Sequence, residues 1–332
     1  MSAITAGRRG AFLSLSIVVI LAARPVSTYA QDSLRVDTAL ASSALSVRED
    51  AVAQLMTTKT QDISPATRDL LISLLEREAV ALNTATLSEA TTDDEDEEYP
   101  SYLTNLVAVA VRLGDPRALR GLCLAGLGLS GTVQDFVAAH AREALPYLAE
   151  AYRAELAQQG VLETSALILR SDSAGLTADE RYALLKRIFG ARASNPVAFL
   201  WSADYGNIVE LASVARSMAA DTDEIVAYRA AAVSASLRAA AAGLSNSVLL
   251  GRTSNWVSVL CAGAAGARKG ACESLRGLLD NARAQVARGT PAITNALHAY
   301  IKRADDARRL GAFSADETMF LVEDATIILN RA

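Results

Sequence analysis

Between Tyr102 and Ala154 the chain reads as three short apolar helices separated by strong helix punctuation. Leu103, Leu106, Val107, Ala110 and Val111 fall on one helical face, and the pattern stops at Gly114. Asp115 then offers an N-cap side chain, and Pro116 suits a first helical position, where its missing N–H costs nothing. A second pattern runs through Leu119, Leu122, Cys123 and Leu127, and a third through Phe136, Val137, Ala141, Leu145, Leu148 and Tyr152. Each helix is too apolar to stand alone and too short to enclose a core. Hairpins of this kind become stable by stacking on further hairpins.

The rest of the chain has the same character. Ala and Leu, both strong helix formers, dominate, aromatic residues make up only 5%, and alternating β-branched runs are nearly absent beyond the N-terminal segment. The expected fold class is all-α. Net charge is −5, and the first 30 residues carry Arg8, Arg9 and Arg24 but no acid, so the remainder is more acidic still. With no basic run of five or more, neither nucleic acid nor an anionic membrane surface is an expected partner.

Residues 1–30 have the layout of a signal peptide. Arg8 and Arg9 precede an apolar stretch from Ala11 to Ala23, Pro25 breaks it, and Thr28-Tyr29-Ala30 suits cleavage before Gln31. A retained membrane anchor is the alternative. The first cysteine is Cys123, so a lipoprotein is not expected, and no later apolar run predicts a membrane span after cleavage. The expectation is export from a bacterial cytoplasm to the periplasm, the cell envelope or the exterior.

Helix starts recur along the remainder. Ser46 with Glu49, Thr177 with Glu180, and Ser314 with Glu317 have capping-box spacing. Ser64-Pro65, Asn195-Pro196, Asp223 and Thr290-Pro291 are further starts. The six acids from Asp93 to Glu98 repel one another, which makes residues 91–98 an acidic loop. The organisation expected is a helical domain over 31–243, a Gly- and Ala-rich connecting segment over 244–271, and a C-terminal three-helix bundle over 272–332.

Two resemblances attach to these stretches. From about Val36 to Leu237, REDAVAQLM (48–56), LGDPRALRGL (113–122) and DEIVAYRAAAVSASL (223–237) resemble HEAT-like helical repeats. From Leu275 to Ala332, LRGLLDNARAQVARG, TPAITNALHAYIKRADDARRLG and FSADETMFLVEDATIIL resemble the FIMAH-type helical module of exported and surface proteins. The first resemblance implies an irregular HEAT-like α-solenoid or helical array whose repeats are unequal in length. The second implies a terminal bundle with no catalytic residues to carry over.

Chemistry-bearing patterns are few. His140 and His298 are the only histidines and have no partners at ligand spacing. The glycine-rich run Gly126 to Gly131 lacks the lysine and preceding strand of a phosphate loop, and reads as a bend between helices. The acidic run lacks EF-hand spacing. Cys261 and Cys272 flank a Gly-rich turn and are a possible disulfide, whereas Cys123 lies on an apolar helix face. Trp201, Tyr205 and Trp256 read either as a recognition platform or as core aromatics. No catalytic residue, cofactor or metal site is expected. The function expected is an exported, non-catalytic scaffold for an unknown protein partner. An envelope component docked by its C-terminal bundle, and an enzyme of unrecognised type, are the alternatives.

Overall fold

A computed structural model describes residues 34–85, 98–153, 158–171, 175–286 and 290–331. The expected signal peptide lies outside them, as does the acidic loop apart from Glu98, which begins a helix. The fold is all-α, with no strand among the described residues.

Helix α1 spans residues 34–40, α2 Leu45–Thr57, α3 Pro65–Ala85 and α4 Glu98–Leu113. Gly114, at φ 66°, ends α4 in the left-handed conformation that favours glycine, and its N–H donates to the Val111 carbonyl. Asp115 then caps a composite helix, α5. It begins as a 3-10 turn over Pro116–Ala118, runs through Leu119–Gly121 and ends as a π turn over Leu122–Gly126. All five residues of the π turn are buried, as befits a stretch apolar all round. There follow α6 (Gly131–Ala139), α7 (Ala141–Arg153), α8 (Gln158–Arg170), α9 (Ala178–Gly190) and α10 (Pro196–Tyr205). The chain is completed by α11 (Ala212–Met218), α12 (Glu224–Ala242), α13 (Asn246–Leu260), α14 (Gly266–Val286), α15 (Thr290–Arg309) and α16 (Ala315–Leu329).

Packing proceeds mostly between helices near in sequence. α2 and α3 pack on α4, α5 on α3 and α7, α6 on α4 and α8, and α8 on α9 and α10; α10 then meets α12, and α12 meets α11. The buried apolar side chains form one continuous cluster from Val36 to Ile328. α8 approaches the preceding turn so closely that a Cβ on Gly160 would lie 2.7 Å from the Leu127 carbonyl oxygen, so glycine is required there.

Two stretches differ from the sequence-based expectation. Ser46 and Glu49 do not form a capping box: α2 starts at Leu45 without a side-chain cap. Arg48 instead reaches back and donates to the carbonyls of Ser42 (3.0 Å) and Ser43 (2.9 Å). Its guanidinium also pairs with Glu78 at 3.4 Å and donates to the Tyr102 hydroxyl, tying the α1–α2 turn to α3 and α4.

The second stretch is 244–271, expected as a connection. α13 fills it, capped by Ser245 and burying Leu249, Leu250, Thr253, Trp256, Val257 and Leu260. Those positions have helical spacing, but Gly251, Arg252 and Thr253 interrupt the apolar pattern in the middle. The C-terminal helices therefore form a four-helix group: α13 packs on α14 and α16, and α15 on the same two.

Cys261, just past the end of α13, is bonded to Cys272 on α14, with Cα atoms 5.7 Å apart. The bond closes a loop of 11 residues. Loop-closure entropy for that length gives a stabilisation of about 3 kcal/mol. The Cys261→Ser/Cys272→Ser chain is expected to lose about that much in urea unfolding. A loss below about 1 kcal/mol would show that the clip constrains little in the unfolded chain.

Candidate functional site

α10 is mostly apolar, with Asp204 its one charged residue, yet its neighbours cover only part of it. Ala198, Phe199, Leu200, Ser202 and Ala203 are buried. Val197, Trp201 and Tyr205, on successive turns of the other face, are not, and Trp201 is 49% exposed. α12 packs beside α10 and adds exposed Ile225 and Tyr228, the latter 81% exposed. The Arg229 guanidinium lies 5.8 Å from the Trp201 ring centre, within cation–π range. The outcome is a surface of Trp, Tyr, Ile and Arg, side chains whose large contact area suits them to protein interfaces.

Beneath and beside this surface the charges are unusually deep. Arg252 of α13 sits between Glu210, in the turn before α11, and Asp324 of α16. Glu210 and Asp324 are almost wholly buried. Arg181 of α9 reaches Glu210 from the other side at 3.4 Å. The Arg252–Asp324 separation is 3.2 Å, but neither of Arg252's carboxylate contacts is aligned as a hydrogen bond. Arg252 is thus held by charge proximity, while Arg181 supplies the directed donor, to Glu210 Oε1.

Two cations and two acids share this space unequally. Burial opposes ionisation of Glu210, but Arg252 and Arg181 outweigh it and hold the carboxyl below its usual range. Burial pushes Asp324 up to about 7, against the pull of Arg252, with Glu210 and Glu323 adding repulsion. Next to it, burial raises Glu323 to about 7, opposed by the Ser213 N–H that donates to its Oε1 at 3.2 Å. Around the cluster, Trp256 meets Tyr182 at 5.4 Å and Phe320 at 6.0 Å between ring centres. The three helices α9, α13 and α16 are thus joined by aromatic as well as ionic contacts.

The structure separates the residues singled out in the sequence. Trp201 and Tyr205 share the exposed face of α10, whereas Trp256 is buried among aromatic rings. His140 ends α6, its Nδ1 3.0 Å from the Phe136 carbonyl and its ring tilted against Phe136; His298 is exposed on α15. Gly126 to Gly131 spans the end of the π turn and the start of α6, which Ser130 caps. Nearby Gln134 donates to both the Leu127 carbonyl and Glu163. Cys123 is a free, buried thiol, pushed up to about 12 by burial. Sequence reasoning missed Glu210, Arg252, Glu323 and Asp324. Their one signal is a charged residue standing at an apolar helical position, such as Asp324 between Leu321 and Ile328.

Among the described residues there is no group of three or more His, Cys, Asp or Glu able to hold a metal ion. No helix of the described residues is long and apolar enough to cross a membrane. No family model, curated protein or solved structure matches the chain.

Proposed function

We propose that this is an exported, non-catalytic helical-repeat protein that serves as a protein–protein interaction scaffold, with the α10–α12 face as its docking surface. One observation carries the reading: α10 leaves Val197, Trp201 and Tyr205 uncovered, with Arg229 of the adjacent α12 over the Trp201 ring. Covering such side chains is favourable by about 25 cal/mol per Å² of apolar surface, so a partner gains by seating there. The partner presents an apolar groove for Trp201 and an acidic group for Arg229.

HEAT-like stacking suits this role, because helical arrays offer extended faces. Support for stacking comes from the order of packing, in which most helices meet neighbours close in sequence. Support for export comes from the Cys261–Cys272 disulfide, a bond that persists in oxidising compartments. The C-terminal helices resemble a FIMAH-type module, but α16 is fastened to α11 and α13 rather than presented as a separate docking unit.

The test is capture from an envelope extract by the purified chain, compared with its Trp201→Ala and Tyr228→Ala variants. Truncation of the last helices is unsuitable, since it would uncover Glu210 and Arg252. A protein retained by the parent chain is expected to bind at least ~30-fold more weakly to Trp201→Ala, the effect of a hot-spot side chain. Stability of Tyr228→Ala should stay within about 0.5 kcal/mol, because that side chain is 81% exposed, whereas Trp201→Ala also gives up the covered half of its ring. If both variants retain the same proteins as strongly as the parent, the α10–α12 face is not the docking surface.

A further inference from the structure

Where α16 crosses α11 and α12, the helices leave a cavity of about 190 Å³. Its walls include Ala212, Ala241, Ala242 and Ile327, small or apolar side chains that make no polar demand. Glu323 lines it from α16, with only 5% of the residue exposed. Ser213 meets the Glu323 carboxyl, its N–H donating to Oε1 at 3.2 Å and its side chain favouring the ionised form, and the Arg216 charge acts in the same sense. A carboxylate accepts about four hydrogen bonds, so acceptor positions on it remain for a ligand in the cavity.

The rim carries the opposite sign. Arg216 of α11 and Arg238 of α12 line the cavity; neither forms an ion pair within 4.0 Å of a described acidic side chain, although the Arg216 charge acts on Glu323. Arg238 uses its Nε on the Ser234 carbonyl at 3.2 Å, which leaves its two terminal nitrogens for another acceptor. Arg331 stands on the same rim but is already committed to the carbonyls of Ala241 and Leu244. From rim to interior, the cavity therefore presents two cations, an apolar wall and one buried carboxyl.

We propose that this cavity binds a small aliphatic amino acid, its ammonium on Glu323 and its carboxylate on Arg216 and Arg238. A ligand with one charge leaves part of the site unmatched. A simple carboxylate or inorganic phosphate meets the arginines but brings a negative charge toward Glu323. A simple amine meets Glu323 but must lie beside two guanidinium groups with nothing to neutralise them. A zwitterion with a short hydrocarbon body matches all three zones, and charge-assisted contacts at both ends are the stronger kind. Size sets the class: a cavity of about 150 Å³ holds benzene, so this one admits side chains up to about that of valine. Bringing an ammonium to Glu323 also favours its ionised form, so binding near neutral pH releases protons.

Calorimetric titration of the full chain with L-alanine, L-valine and γ-aminobutyrate, against propionate, n-propylamine and inorganic phosphate, tests the assignment. At least one zwitterion is expected to bind ten-fold or more tightly than all three singly charged probes. Its binding heat is expected to vary with the ionisation enthalpy of the buffer. Glu323→Gln should weaken it at least ten-fold. Arg216→Ala/Arg238→Ala, at exposed positions, should do the same with an unchanged melting curve, which keeps the test open if the buried variant fails to fold. The proposal is overturned if no zwitterion binds, if propionate or phosphate binds as tightly, or if the double arginine variant binds unchanged. It uses none of the residues of the α10–α12 face, so its failure and that of the docking surface are read separately.

Discussion

Arg252→Ala is expected to destabilise the protein by about 3–5 kcal/mol, the cost of leaving a buried charge without its partner. The loss falls on Glu210. That carboxylate is ionised because Arg252 and Arg181 overcome its burial, and removal of Arg252 leaves only Arg181, 3.4 Å away and partly in solvent. Asp324 loses less, because its proton affinity is already high and it becomes a neutral acid when Arg252 goes. The penalty belongs to the broken set rather than to the absence of charge. Replacing the whole set together, as Glu210→Leu/Arg252→Met/Asp324→Leu, is expected to recover most of the loss, since apolar side chains of similar volume need no counter-ion. Urea midpoints of the single and triple variants make the comparison. A single variant that loses under about 1 kcal/mol would mean that water reaches Glu210 in the folded protein.

Acidification from pH 8 to pH 5 is expected to stabilise the protein, by an amount on the order of 3 kcal/mol. Glu323 and Asp324 hold their protons up to about pH 7 in the fold, against ordinary values of 4.5 and 3.8. Between those limits the folded state binds more protons than the unfolded one, so stability is greatest at the acidic end and is lost as pH rises through about 7. Other carboxyls act in the opposite sense at lower pH. Glu150 is lowered by its hydrogen bond from Arg120, Asp115 by that from Arg117, and Glu210 by its two cations; their contribution is lost as pH falls below about 4.5. The stability maximum is therefore expected near pH 5. Urea midpoints between pH 5 and 8 should decline, and Glu323→Gln or Asp324→Asn should flatten the decline. A midpoint independent of pH over that range would contradict the burial of these two acids as charge-intolerant groups.

Helix caps are legible in the sequence itself. Thr177 accepts from the Glu180 N–H at 3.2 Å and Ser314 from the Glu317 N–H at 3.1 Å, while Asn195, Asp115 and Asp223 each cap the helix that follows. Such caps are written within three residues, so spacing alone reveals them. The all-α class follows from the same local information. What spacing does not contain is the far partner. Arg252 and Thr253 look like a break in α13 because the groups that accept Arg252 lie on other elements. Trp201 and Trp256 sit in similar apolar stretches, yet one is covered by Tyr182 and Phe320 and the other, half exposed, has Arg229 over its ring. The surface face and the cavity both depend on which helix ends up beside which, and one helical period does not encode that.

The return of α16 to α11 sets a timetable for biosynthesis. The Ser213–Glu323 hydrogen bond joins residues 110 positions apart. At about 5–20 residues per second, roughly 6–20 s separate the synthesis of its two ends. Throughout that interval Glu210 and Ser213 lack the helix that covers them. Purified chains that end before Phe320 are therefore expected to remain cleavable by protease around α11, and chains that include α16 to be resistant there. The early helices, whose partners lie close in sequence, should already be protected in both. Arrival of α16, rather than emergence of the first helices, is the event that closes the middle of the molecule.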